Sequence, residues 1–93
     1  MEIHHQTDGN RGSFFMEKEG ERLAAMVYKM AGPKKMVIEH TEVDERLKGQ
    51  GVGVRLLEHL VEFVRKENIK VVPFCPFAKA TFRKREDLQD VLN

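Results

Sequence analysis

The chain of 93 residues has no tryptophan, a single tyrosine and a single cysteine, and no apolar run approaching the roughly 18 residues that a membrane-crossing helix needs. With Cys75 alone, no intramolecular disulfide can form, so a small core must hold without that staple; the expected compartment is a reducing cytoplasm. Charge of one sign is also missing. Sixteen Lys+Arg against fifteen Asp+Glu leave a formal charge of +1, which provides no global field for a polyanion, so nucleic acid is not an expected partner. The polar start MEIHHQTDGN lacks an apolar export core, and neither export nor membrane anchoring is expected. His4 and His5 are adjacent, but neighbouring strand residues point to opposite faces, so no metal site is expected.

What is present is enough apolar material, 41% of residues, to build one globular domain over residues 1–93. The first half reads as four strands: Glu2 to Thr7, Gly12 to Glu17, Arg22 to Met30 and Lys35 to Val43. Asp8-Gly9-Asn10, Lys18-Glu19-Gly20-Glu21 and Ala31-Gly32-Pro33 are turn chemistry between them, which predicts an antiparallel meander. The unbroken apolar run Leu23 to Tyr28 predicts cover on both faces of the third strand. From Val52 to Glu67 the period changes to 3.6, and Val54, Leu57, Leu60, Val61 and Val64 form one stripe of an amphipathic helix. Ile69 to Cys75 reads as a fifth strand, joined to the fourth by a right-handed crossover and therefore parallel to it. Pro73 removes a ladder bond inside that strand, so strands four and five should pair at one end and separate at the other, leaving a slot. Pro76 suits the first position of a short helix with Cys75 at its N-cap, and Glu86 to Asn93 reads as a last helical turn. The fold class is thus α/β with a mixed sheet.

The informative segment is Lys48-Gly49-Gln50-Gly51-Val52-Gly53, where three glycines alternate at the start of the long helix. Glycine costs a helix roughly 1 kcal/mol relative to alanine, so three at this position need a reason. Without Cβ atoms the backbone can approach a ligand, and the free N–H groups of a first helical turn favour an anion. No Asp or Glu occupies that turn, and Lys48 and Arg55 add positive charge. The spacing fits neither the nucleotide-hydrolase phosphate loop nor the dinucleotide-binding fingerprint.

This segment, set between a strand and the helix and accompanied by His40-Thr41-Glu42-Val43 and Pro73-Phe74-Cys75-Pro76-Phe77, resembles the pyrophosphate-binding signature of the GNAT superfamily of acyl-CoA-dependent N-acyltransferases, in its small single-domain form. Lys48 replaces the usual first Gln or Arg of the signature. The resemblance implies acetyl-CoA as acyl donor. Its pyrophosphate would meet the backbone of Gly49, Gln50, Gly51, Val52, Gly53 and Val54, and its pantetheine arm would pair with the backbones of Thr41 and Val43. A strand-four amide would polarise the thioester carbonyl. Phe77 and Lys79 would lie along the arm, with Lys79, Arg83 or Lys84 near the phosphates. It also implies an amine acceptor, a protein among the candidates, and the helices that wall the acceptor site in larger members are replaced here by a short turn. The tyrosine that often serves as general acid after strand five has no counterpart, because Tyr28 lies on strand three; the glutamate of some members falls on Val37.

His40 and Cys75 remain as catalytic candidates. Parallel neighbours should bring them to the same edge of the slot. Two roles are open: His40 as base for the amine with Cys75 protonating the departing thiolate, or Cys75 as a transient acetyl carrier activated by His40. Glu39 and Glu42 are weaker bases, and Cys75 could equally be a packing residue. The reading from a different class is a module that holds acetyl-CoA for regulation or interaction without turning it over. A monomer is compatible with all of this.

Overall fold

In the computed structural model, residues 2–93 are described. Strands β1 (Ile3–Asp8), β2 (Arg11–Lys18), β3 (Glu21–Met30) and β4 (Lys35–Val43) are followed by a 3-10 turn (Glu45–Leu47), helix α1 (Val52–Glu67), strand β5 (Lys70–Pro73), helix α2 (Pro76–Lys84) and a second 3-10 segment (Glu86–Val91). The sheet order is β1-β2-β3-β4-β5, antiparallel through β4, with β5 parallel to β4. The turn residues and the change of period place these elements within a residue or two of expectation. The fifth strand is the exception: it ends at Pro73, not Cys75, because the last paired rung is Ile38 with Pro73 and a proline cannot extend the ladder. The tail is a 3-10 segment to Val91, after which Leu92 bridges back to Val71.

Helix α1 buries Leu56, Leu57, Leu60, Val61 and Val64 against β2, β3 and β4. Leu56 joins the stripe, and Val54 is only half-buried because it turns toward the slot. Each fully buried aliphatic side chain contributes roughly 1.5–3 kcal/mol, which is what holds so small a core. Asn68 ends the helix in the left-handed conformation, its N–H donating to the Arg65 and Val64 carbonyls. Alternate residues of the sheet, Phe14, Met16, Met26, Tyr28, Met36, Ile38 and Val71, form one cluster with α1 and with Ala78 and Phe82 of α2.

Both helices therefore lie on one side, yet β3 is buried on both faces, as its unbroken apolar run predicts. On the other side Phe15 and Ala25 are buried without a helix. Arg22 lays its guanidinium over the Phe15 ring, 3.7 Å from the centroid, and donates to Ser13 Oγ and Gln6 Oε1. The two N-terminal histidines point oppositely, as strand alternation requires. His4 tilts against Phe15, while His5 stacks on Phe14 at 4.0 Å and hydrogen-bonds Tyr28 Oη at 2.6 Å. Burial lowers the His5 pKa and raises that of Tyr28, so the pair is a packing unit at the sheet edge.

Candidate active site

A one-residue bulge in β4 organises the site. Val27 pairs with His40 and Tyr28 with Ile38, which leaves Glu39 as the extra residue. Before the bulge, the Ile38 carbonyl faces β5 and accepts from the N–H groups of Phe74 (3.0 Å) and Cys75 (3.1 Å). After it, the Asp44 N–H faces β3 and donates to the Leu23 carbonyl at 2.8 Å. In an unbroken strand these two even-numbered positions would face the same neighbour; the insertion of Glu39 reverses the alternation. The backbone groups of Thr41 and Val43 consequently face the split between β4 and β5, which opens beyond the Ile38–Pro73 rung.

The bulge also sorts the side chains. Thr41 pairs with Met26 and shares its helix-side face, whereas His40 pairs with Val27 and projects to the helix-free face. Thr41 Oγ1 lies 3.4 Å from Cys75 Sγ. Cys75 is 2% exposed, and its sulfur also accepts from the Ala78 N–H at 3.3 Å, so it is the N-cap of α2. His40, with a side chain 56% exposed, has Glu42 Oε1 at 4.0 Å from Nε2. The expectation that His40 and Cys75 share an edge of the slot is thus corrected: they flank the split from opposite sides of the sheet, and the thiol's neighbour is Thr41. Glu39 is ion-paired to Arg11 across β3, so its carboxylate is engaged by another strand and not aimed at the split.

At the wide end of the split, Val43, Leu47, Lys48, Gly49, Gly51, Val52, Gly53, Val54 and Phe77 line a cavity of about 310 Å³. Gly51 caps α1 at φ +71° and Gly49 stands at φ +80°, and a Cβ at either would meet nothing within 4 Å, so the loop presents bare backbone to open space. Gly53 serves differently: its missing Cβ is filled by Phe77, whose Cζ would lie 2.6 Å from it. The first helical bond runs from Arg55 N–H to the Gly51 carbonyl, leaving the N–H groups of Val52, Gly53 and Val54 without helical acceptors. No side chain caps this end and no acidic residue occupies its first turn. These residues fit a pyrophosphate. Gln50 is not in the lining; its Nε2 donates to the Arg46 carbonyl and staples the loop. Lys48 Nζ is 3.4 Å from Glu45, and Lys79 Nζ lies over the Phe74 ring. A larger cavity of about 410 Å³ lies beyond Val43 among Arg22, Leu23, Ala25, Glu42 and Asp44, with no glycine-built wall.

Two contributors were missed in the sequence. Leu47 is a buried wall of the slot, and Asp44 starts the 3-10 turn leading to it by accepting from the Arg46 N–H at 2.9 Å. The signal for Asp44 was there, since Asp before Glu-Arg-Leu is an N-cap pattern. Hydrogen bonds from Arg46 hold the Asp44 carboxyl down at about 2, against 3.8 ordinarily. A folded pKa below the unfolded one means stabilisation present above pH 3.8 and lost as pH falls toward 2. A carboxyl-detected NMR titration should therefore give Asp44 a midpoint near 2, moving back toward 3.8 in Arg46→Ala.

The sequence signature of the family described as GCN5-related N-acetyl-transferase matches residues 13–91. The chain belongs to that family. Its fold superposes with a TM-score of 0.75 and 34% identity on a GCN5-like protein from Staphylococcus aureus solved by NMR, over 97% of this chain and 87% of that one. Protein NATD1 of Xenopus tropicalis is 28% identical over 74 residues, 78% of this chain and 68% of that protein. A GNAT family acetyltransferase from Elizabethkingia anophelis, solved with acetyl-CoA bound, shares the fold at a TM-score of 0.68 and 14% identity, over 91% of this chain and 73% of its own. The GNAT fold is present with its mixed five-stranded sheet and split β4/β5 edge. Among the described residues, no helix is long and apolar enough to cross a membrane, and no cluster of three or more His, Cys, Asp or Glu is disposed to hold a metal ion.

Proposed function

We propose that the protein binds acetyl-CoA in the split between β4 and β5 and transfers the acetyl group to a primary amine, in the cytoplasm. The observation that carries this is the bare-backbone cradle: free amides of Val52, Gly53 and Val54 beside Gly49 and Gly51, continuous with the β4 edge that the bulge turns into the split. In this reading the cradle takes the pyrophosphate, Thr41 and Val43 pair with the pantetheine arm, and Phe77 packs along it.

The two faces of the split suit two proton transfers. His40 Nε2, on the open face, takes the proton of the incoming ammonium so that the nitrogen lone pair can form the C–N bond. Cys75, on the helix side, gives its S–H proton to the sulfur that leaves as the C–S bond breaks; the nitrogen, now bonded to carbon, sheds its second proton to solvent, and solvent reprotonates Cys75. The separation of His40 from Cys75 favours this division over a Cys75 acetyl carrier, which would need the imidazole beside the thiol.

The test is thermal unfolding with acetyl-CoA together with release of free thiol. Acetyl-CoA should raise Tm, and thiol release should require an added amine. Stabilisation without release under any amine selects a non-catalytic acetyl-CoA-binding module, and no stabilisation at millimolar acetyl-CoA overturns both readings.

A further inference from the structure

Arg11, Arg46, Arg65 and Arg85 are each ion-paired with a carboxylate. Arg22 is held differently. Its guanidinium is fixed by neutral groups, the Phe15 ring, Ser13 Oγ at 3.3 Å and Gln6 Oε1 at 2.9 Å, and among the described residues no carboxylate pairs with it. Its orientation is set while its charge stays unmatched. A register shift puts it there: Glu17 pairs with Arg22 and Met16 with Ala24, so Leu23 is an extra residue and Arg22 moves to the helix-free face with Phe15 and Ser13. Beside the guanidinium opens the cavity of about 410 Å³ that Ala25, Glu42, Val43 and Asp44 also line. Val43 is shared with the cofactor cavity. Glu42 pairs with Ala25, and its Oε1 lies 4.0 Å from His40 Nε2. Asp44 is engaged by Arg46, so the cavity's available negative charge is Glu42, beside the base, and its positive charge is Arg22, on the other wall.

Resting on the acetyltransferase reading, we propose that this cavity is the acceptor pocket and that its substrate is a small ω-amino carboxylate, with Arg22 taking the carboxylate and Glu42 receiving the ammonium next to His40. A guanidinium presents its donors as a planar fork that matches the two oxygens of a carboxylate, and one already oriented loses little freedom on binding. The cavity has the volume of a small-molecule site. Ser13, Val27 and His40 lie in line across β2, β3 and β4, so Arg22, bonded to Ser13, and His40 stand about two strand spacings, about 10 Å, apart. One ligand meets both only if several bonds separate its charges, which selects an ω-amino acid over an α-amino acid. Half-buried Val27 between them is an apolar floor for the methylenes.

The test compares 5-aminopentanoate, pentylamine and glycine as acceptors, with thiol release as readout. For the unsubstituted protein, kcat/KM for 5-aminopentanoate should exceed that for pentylamine about tenfold or more, as a charge-assisted hydrogen bond to the carboxylate requires, and should also exceed that for glycine. Arg22→Gln should bring 5-aminopentanoate level with pentylamine by raising its KM, while the acetyl-CoA KM stays unchanged. Arg22→Lys keeps the charge without the fork and should fall between. Equal kcat/KM for 5-aminopentanoate and pentylamine in the unsubstituted protein overturns the carboxylate site, whether or not the variants fold. A raised acetyl-CoA KM in Arg22→Gln assigns Arg22 to the cofactor and overturns it as well. Preference for glycine overturns the spacing, and turnover of peptides with none of free amines overturns the small-molecule acceptor. Failure of the underlying reading is separate, because it shows as absent acetyl-CoA stabilisation, or as no thiol release with any amine, in the unsubstituted protein.

Discussion

Gly51→Glu is expected to abolish the rise in Tm that acetyl-CoA produces. At a ligand concentration about 100 times Kd the unsubstituted protein gains about 2.7 kcal/mol, which for a domain of this size is a rise of about 10–20 °C. The substitution acts twice. At φ +71° a side chain is strained, costing roughly 1–2 kcal/mol and lowering the ligand-free Tm by several degrees. Its carboxylate then enters the open space beside the amides of Val52, Gly53 and Val54, where the pyrophosphate would sit. Gly51→Ala shares the strain but not the charge, so it should keep a reduced ligand-dependent rise. Equal rises in the Glu variant and the unsubstituted protein would remove the cradle from the account. Calorimetry of the three proteins with acetyl-CoA and with free coenzyme A decides it.

The second large effect concerns chemistry. His40→Ala should lower kcat by about 10²–10⁴-fold with the acetyl-CoA-dependent Tm rise intact, because His40 lies on the outer bank and not in the slot. Cys75→Ser keeps an N-cap acceptor for the Ala78 N–H, so it should fold normally while losing the better-matched proton donor, and kcat should again fall steeply. Cys75→Ala removes the cap too and should cost a further ~1 kcal/mol of stability. Mass spectrometry after incubation with acetyl-CoA and no amine should find no acetyl group on Cys75. An adduct there would replace the proton-donor role with that of carrier. Full activity in both His40→Ala and Cys75→Ser would leave the cradle standing and the chemistry unassigned.

Much of the fold was legible because its signals are local. Asp8-Gly9-Asn10 reverses the chain wherever it is placed, the Leu57-Leu60-Val61-Val64 spacing is helical by itself, and Pro76 after Cys75 starts a helix by its own geometry. The glycines at 49, 51 and 53 marked the cradle for the same reason. They do so in two ways that sequence does not separate: Gly49 and Gly51 through positive φ, Gly53 through the Phe77 ring packed where its Cβ would be. The Leu23 to Tyr28 run announced burial on both sides of β3, but only the fold shows that on the second side Arg22 covers Phe15 in place of a helix.

The sequence by itself determined the elements, the mixed sheet, the family and the place of the cradle, since each rests on residues close together in the chain. Only the tertiary structure decided which candidates meet. Strand side chains alternate with a period of two, so the single extra residue Glu39 exchanges the faces of everything after it: Thr41 goes to the thiol and His40 away from it. That insertion is defined by pairing with β3, a contact between residues far apart in sequence, and no local pattern in Ile38-Glu39-His40 announces it.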